Sequence, residues 1–318
     1  MQPPSRRTFL ALGLITLTAA CTTGTDGATP PDPKASGPDT DHPVRLRAVA
    51  ATDTLLAAYD TLLTTPGDRA PLLQTLRAET VQHRTALAQG LPTTSTPPTT
   101  PTPSITTTPA TPATLAALEH QTAQSHLADL AAARPPLARL LASVSAANTL
   151  HATALGAPIE QPTPSPTPGT TTPGTPLPAL QKALSAEHAA VYGYGVVGAH
   201  LPDDQQRTDA RTAYAAHQSQ RDAWQRLITT LGATPAPAAG GYRLPFPVTD
   251  PTTATNLAAH LETSLTTVYA DLVADLPAPH RPTAATALRD CTLRAHRWGA
   301  PDTPFPGIPT PLPTPTQT

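Results

Sequence analysis

Glu187 stands where a leucine is expected. Leu180, Leu184, Glu187, Val191, Tyr194 and Gly198 follow one another at steps of four and three, the spacing of a single buried helical stripe. A carboxylate in such a place is costly unless it is paired, hydrogen-bonded, protonated or bound to a cation. Partners are therefore expected on the helices that cover it. The later stripes supply three: His217 among Tyr214, Trp224, Ile228 and Leu231, Glu262 among Leu265, Tyr269, Leu272 and Leu276, and His296 on the helix that carries Leu288, Cys291, Ala295 and Trp298. Glu187, His217, Glu262 and His296 around one axis suit one metal ion such as zinc, iron or manganese. They also suit, and better, a buried Glu–His hydrogen-bonded network that fixes helix register and holds no metal. Tyr194, Tyr214 and Tyr269 serve the first reading as redox or substrate contacts and the second as core side chains with a satisfied hydroxyl. His188, adjacent to the stripe, is either a supporting partner or a surface residue.

The first half of the chain repeats the order acid, histidine, acid, histidine with Asp53, His83, Glu119 and His151. Its stripes run Val49, Thr52, Leu56, Tyr59, Leu63, then Leu73, Leu76, Thr80, His83, Leu87, and later Leu137, Leu141, Val144, Asn148, His151, Leu155. Order and spacing make this a weak internal repeat. Arg221, Asp222, Asp290 and Arg294 read as solvated or interhelical ion pairs, each worth little.

Composition says what must position these residues. Aromatics are 3%, which leaves cores of Leu, Ala and Val and favours helices over sheets. Charged residues are 13%, against about 25% in soluble domains, and many of the 42 prolines lie in Pro/Thr tracts that cannot form a core. The fold class is all-α: two tandem antiparallel four-helix bundles joined by Pro/Thr-rich disordered linkers. The first occupies residues 43–156 with a Pro/Thr insert at 91–112, the linker 157–176, the second bundle 177–307, and a disordered tail 308–318. Two hairpins joined by one long crossover is the topology of ferritin-like bundles.

Residues 1–21 read as an address. Ser5-Arg6-Arg7-Thr8-Phe9-Leu10 is a twin-arginine export motif centred on Arg6 and Arg7, and an apolar run ends at Cys21 after small residues, the pattern of a lipid-bearing cysteine. Thr18 departs from that pattern, which usually has an aliphatic residue three places before the cysteine. Residues 22–42 form a solvated spacer. The expected location is the outer face of the cell membrane, through the lipid. With Cys21 so used, Cys291 has no partner and no disulfide is expected. A net charge of −2 and the absence of a basic run exclude nucleic acid as a partner. No phosphate loop, nucleophile elbow or paired cysteines point to another chemistry.

Residues 177–307 resemble the ferritin-like domain of unknown function found in exported actinobacterial proteins. The matching residues are Glu187-His188-Ala189-Ala190-Val191-Tyr192-Gly193-Tyr194-Gly195, His217 with Arg221-Asp222, the loop from Tyr242 to Asp250, and Phe305-Pro306-Gly307. The first bundle resembles the helical region that often precedes that domain. The resemblance implies a fold and no settled activity. Ferritin-like di-iron proteins also place a Glu three residues before each histidine. Here those places hold Tyr214 and Leu293 before His217 and His296, and Thr80 and Asn148 before His83 and His151. Losing those carboxylates argues against a standard dinuclear centre. Two functions follow: a non-catalytic envelope module that is structural or binds a protein partner, and a mononuclear metal-binding or oxidoreductase domain.

Overall fold

The computed structural model describes residues 40–64, 67–92, 111–158 and 177–309. Among them are eight α-helices and no strand: α1 (Asp41–Leu63), α2 (Ala70–Leu87), α3 (Pro112–Ala128), α4 (Pro135–Ala154), α5 (Leu177–His200), α6 (Asp204–Thr230), α7 (Pro251–Asp275) and α8 (Arg281–Arg297). Short 3-10 turns, Asp129–Ala131 and Ala278–His280, lead into α4 and α8. The export motif with Arg6 and Arg7, Cys21, most of the spacer, most of the Pro/Thr insert, the bulk of the linker and the end of the tail lie outside the described residues.

Proline, a helix breaker elsewhere, opens α2, α3, α4, α7 and α8, where its missing N–H would have no helical partner in any case. Thr111 and Asp250 form reciprocal capping boxes with Thr114 and Thr253, and the Asp203 side chain caps α6 through Gln206 N. The helices form two bundles, α1–α4 and α5–α8. In each, the first helix packs on the second and third, and the third on the fourth. Gly193 lets α5 approach α7 closely, since a Cβ there would lie 2.6 Å from Leu261 Cδ1. The crossover between α6 and α7 is irregular over residues 232–250 and is held to α5 by Gln181, which bonds Thr234 O and Ala236 N at 2.8 Å each.

The two bundles share one core. Val44, Leu87, Leu137 and Leu141 from the first join Leu180, Leu184, Trp224, Tyr269 and Leu288 from the second in one buried cluster. The helix that unites them is α4, buried continuously from Leu141 to Asn148, which packs on α3, α7 and α8. Its mixture of Leu with Ala and Ser leaves no polar face for solvent, and such a helix belongs inside. Polar ties reinforce the junction. Buried Arg281 donates from Nη1 to Leu130 O and Ala133 O, at 2.8 and 2.6 Å, and from Nε to Leu276 O at 3.0 Å. The linker at 157–176 thus separates two stretches of chain whose helices pack as one body.

After α8 the chain runs back as a strap over both bundles. His83 Nε2 donates to Pro304 O at 2.6 Å, Ser143 Oγ to Pro306 O at 2.8 Å and Arg139 Nη2 to Gly307 O at 3.4 Å. The Phe305 ring meets the His83 ring edge-on, 5.3 Å between centroids. Phe305-Pro306-Gly307 therefore binds α2 and α4 of the first bundle to α7 of the second.

Candidate functional site

Each bundle encloses a polar centre. In the second, Glu187 on α5 receives the Tyr269 hydroxyl on Oε1 and His217 Nδ1 on Oε2, the latter at 2.8 Å. The same imidazole donates from Nε2 to Glu262 Oε1 at 3.0 Å. That oxygen also accepts from Tyr194 Oη at 2.6 Å and Arg294 Nε at 2.7 Å. Glu187, His217 and Glu262 are buried to within 1%. Trp224 Nε1 extends the chain by donating to Tyr269 Oη at 3.2 Å. The result is a symmetric Tyr–Glu–His–Glu–Tyr relay with one arginine on its flank.

Both nitrogens of His217 face carboxylate oxygens, so the ring is an imidazolium. Burial alone would lower its pKa, but the Glu187 and Glu262 charges outweigh burial and raise it to about 9. Burial would raise Glu262; Arg294 and His217 overcome that and bring it to about 2. Burial, then the adjacent carboxylates, push the Tyr194 and Tyr269 hydroxyls far up, so both tyrosines act as donors. Two negative charges meet two positive ones with no outside cation.

The first bundle builds a variant. Glu119 Oε1 accepts from Tyr59 Oη at 2.5 Å and His151 Nδ1 at 3.2 Å, and its Oε2 accepts from Asn148 Nδ2 at 2.6 Å. His151 Nε2 reaches Glu79 Oε2 at 2.9 Å. Burial would lower the His151 pKa, and Glu119 with Glu79 raises it instead to about 9. The internal repeat is clearer in space than in sequence. Tyr59 and Tyr194 on the first helices donate to Glu119 and Glu262 on the third, and the interval from Glu119 to Glu262 equals that from His151 to Arg294. Thr52 lies one heptad before Tyr59, as Glu187 lies before Tyr194, and its hydroxyl donates to the Ala48 carbonyl. Without that carboxylate the second-helix histidine is neutral: burial, then the His151 charge, lowers His83 to about 4, whereas its counterpart His217 lies at about 9. His126, buried with neither nitrogen bonded among the described residues, is likewise lowered to about 4 by burial.

Of the eight residues expected at the two centres, five join the hydrogen-bonded networks, and His83 is beside them, stacked on His151 and bonded to the strap. Asp53 and His296 are at neither centre. Asp53 forms a half-exposed ion pair with Arg84, because the buried stripe of α1 is Val44, Ala48, Thr52, Leu55 and Tyr59, and the next residue after Thr52 is turned about 100° away. Its place as second acid is taken by Glu79. His296 is about half exposed and bonds Asp302 at 2.9 Å. Two residues along an α-helix is about 200° of rotation, so Arg294 points inward and His296 outward. Arg294 continues the stripe Cys291, Arg294, Trp298 at steps of three and four, the signal that would have identified it. Tyr194 and Tyr269 join the network as expected. Tyr214 is half-buried beside the Val197–Leu257–Trp298 cluster and bonds neither acid. His188 is 8% exposed, with Nε2 unbonded among the described residues.

As hydrogen-bonded here, the network leaves a metal ion no free imidazole nitrogen on His217. A ligating imidazole needs a free lone pair, and both nitrogens of His217 are donors. Glu262 Oε1 already accepts three hydrogen bonds, one from a guanidinium, whereas its Oε2 is buried with no partner among the described residues. Among the described residues no three His, Cys, Asp or Glu side chains are disposed to hold a metal.

The titrations set a pH profile. His151 and His217, raised above the ordinary 6.5, contribute stability that is complete below about 6.5 and is lost as pH rises through about 9. His83 and His126 are lowered, so the unfolded chain binds protons first and stability falls as pH drops from about 6.5 through about 4. Chemical denaturation across pH 4–10 is expected to give a maximum near pH 6.5, with a shallower acid limb in His83→Gln. A flat profile between 6.5 and 9 would mean that His151 and His217 are not charged in the folded state.

Comparison with curated proteins gives no match. A crystal structure of a conserved hypothetical protein, rv2844, from Mycobacterium tuberculosis is 34% identical, over 38% of this chain and 92% of that one, with a TM-score of 0.37. Residues 179–310, which hold nearly all of α5 to α8, the second network and the strap, match the domain of unknown function DUF4439.

Proposed function

We propose that this chain is an exported, lipid-anchored module of the cell envelope, non-catalytic, in which ferritin-like bundles are held in register by internal charge networks and serve a structural or partner-binding role. The observation that carries the reading is the geometry of His217, whose two N–H groups bridge Glu187 and Glu262. In a ferritin-like centre those carboxylates would bind metal; here the protein's own imidazolium and guanidinium take that place. Two same-sign pairs that neutralise one another set the rotation of four helices, a use of buried charge known from register-fixing polar residues. Export and lipid attachment rest on Arg6-Arg7 and Cys21, which lie outside the described residues. Among the described residues no helix is long and apolar enough to cross a membrane.

Elemental analysis of protein produced without chelator, beside His217→Ala and Glu262→Ala, tests the reading. The expected result is no stoichiometric transition metal in the parent, with both variants less stable. Near-stoichiometric metal that falls in both variants would overturn it and direct attention to oxygen or peroxide chemistry.

A further inference from the structure

The second network is not sealed. α6 packs on α5 and α8 on α7, and between α6 and α8 a cleft of about 350 Å³ remains. Glu187, His217, Tyr269, Cys291 and Arg294 line it, and alanines flank it: Ala216 and Ala223 on α6, Ala287 on α8. Small side chains on both helices keep the gap open. Its size falls near the lower end of small-molecule pockets, about 300–1,000 Å³.

Hydrogen-bonding capacity along this cleft is unbalanced. The lining carboxylates are engaged: Glu187 takes Tyr269 on one oxygen and His217 on the other, and Asp290 Oδ1 is held by Arg289 at 2.8 Å. Donors are left over. Gln220 Nε2 is buried with no partner among the described residues. Arg294 uses Nε on Glu262 and Nη2 on Cys291 Sγ, at 2.7 and 3.3 Å, and its side chain is 18% exposed, so the outer edge of the guanidinium is accessible from the cleft. Arg226 adds a positive charge to the lining and has no carboxylate partner among the described residues. Because Glu187 and Glu262 are neutralised by His217 and Arg294, an arriving anion meets no uncompensated negative charge. A buried donor without an acceptor, here Gln220 Nε2, is costly, and a planar carboxylate is the acceptor that matches a guanidinium edge.

We propose that the cleft between α6 and α8 binds a small organic carboxylate, whose oxygens accept from Arg294 and Gln220 while its apolar body lies between the alanines. This goes beyond the structural reading and does not depend on it, since a charge network of either role could floor such a site.

Isothermal titration of the full chain with benzoate, benzamide and inorganic phosphate tests the proposal. One saturable benzoate site per chain is expected, with benzamide and phosphate at least about tenfold weaker, as loss of a charge-assisted contact or of shape requires. Ala223→Leu fills the cleft and is expected to abolish benzoate binding; Gln220→Leu is expected to weaken it about tenfold. Circular dichroism and Tm show whether each variant is folded, and if Ala223→Leu is not, Gln220→Leu decides. No saturable heat with benzoate, equal binding of benzamide or phosphate, or unchanged binding in the folded variants would overturn the proposal.

Discussion

Glu262→Ala is expected to remove about 3–5 kcal/mol of stability, the usual consequence of breaking a buried ion pair from one side. One oxygen of the removed carboxylate accepts from Tyr194, His217 and Arg294 together. Without it an imidazolium and a guanidinium face each other across a cavity, and only Glu187 remains to balance them. A domain typically has about 5–15 kcal/mol in total, so the loss approaches unfolding. Urea denaturation followed by circular dichroism measures it. The sign of the partner change is equally specific. Replacing both ends together, Glu262→Met with Arg294→Met, is expected to recover much of the loss, because no uncompensated charge is then buried. A Glu262→Ala variant within about 1 kcal/mol of the parent, the range of an exposed pair, would show that water reaches the centre and screens it.

The second large effect is expected at Gly307→Ala. Gly307 has φ +77, a left-handed conformation that disfavours any side chain by roughly 1–2 kcal/mol. Space is also lacking: a Cβ would lie 2.3 Å from Thr266 O and 2.8 Å from Ala270 Cβ, both fixed parts of α7. The strap has to lift. With it go the His83–Pro304, Ser143–Pro306 and Arg139–Gly307 bonds, at about 1 kcal/mol each. The expected total is about 4–5 kcal/mol when the strain and all three bonds count. His83 offers a local readout. Its pKa is lowered to about 4 first by burial, against the raising effect of the Pro304 carbonyl. Lifting the strap removes that bond and part of the cover, and because burial is the larger effect the imidazole is expected to move up towards its ordinary value in Gly307→Ala. Imidazole NMR shifts against pH would show it. An unmoved His83 would mean that the strap stays seated and the clash is absorbed inside α7.

The paired bundles also amount to a natural experiment on one imidazole. His83 and His217 sit on equivalent second helices, and the main difference around them is a carboxylate seven residues before the first-helix tyrosine, present as Glu187 and replaced by Thr52. With it the ring is charged and bridges two acids; without it the ring is neutral and turns to a backbone carbonyl of the strap.

By itself the sequence determined the helices, the two bundles and most of the polar centre. Helix period is a local property, and an acid or histidine on an apolar stripe is conspicuous because burial is costly: Glu187, His217, Glu262, His83, Glu119 and His151 were all legible that way. It placed Asp53 and His296 at the centre and left Glu79 and Arg294 out, each a displacement of one or two residues from the true inward line, or of one helix. Only the tertiary structure decided those, because the rotation of a helix about its axis is fixed by its neighbours, and because long side chains such as Arg294 reach a centre from the margin of a stripe. The union of the bundles through α4, the cleft left by facing alanines and the strap held by backbone carbonyls likewise come from packing. Carbonyl acceptors and empty space are properties of an arrangement, and no residue type in the chain announces them.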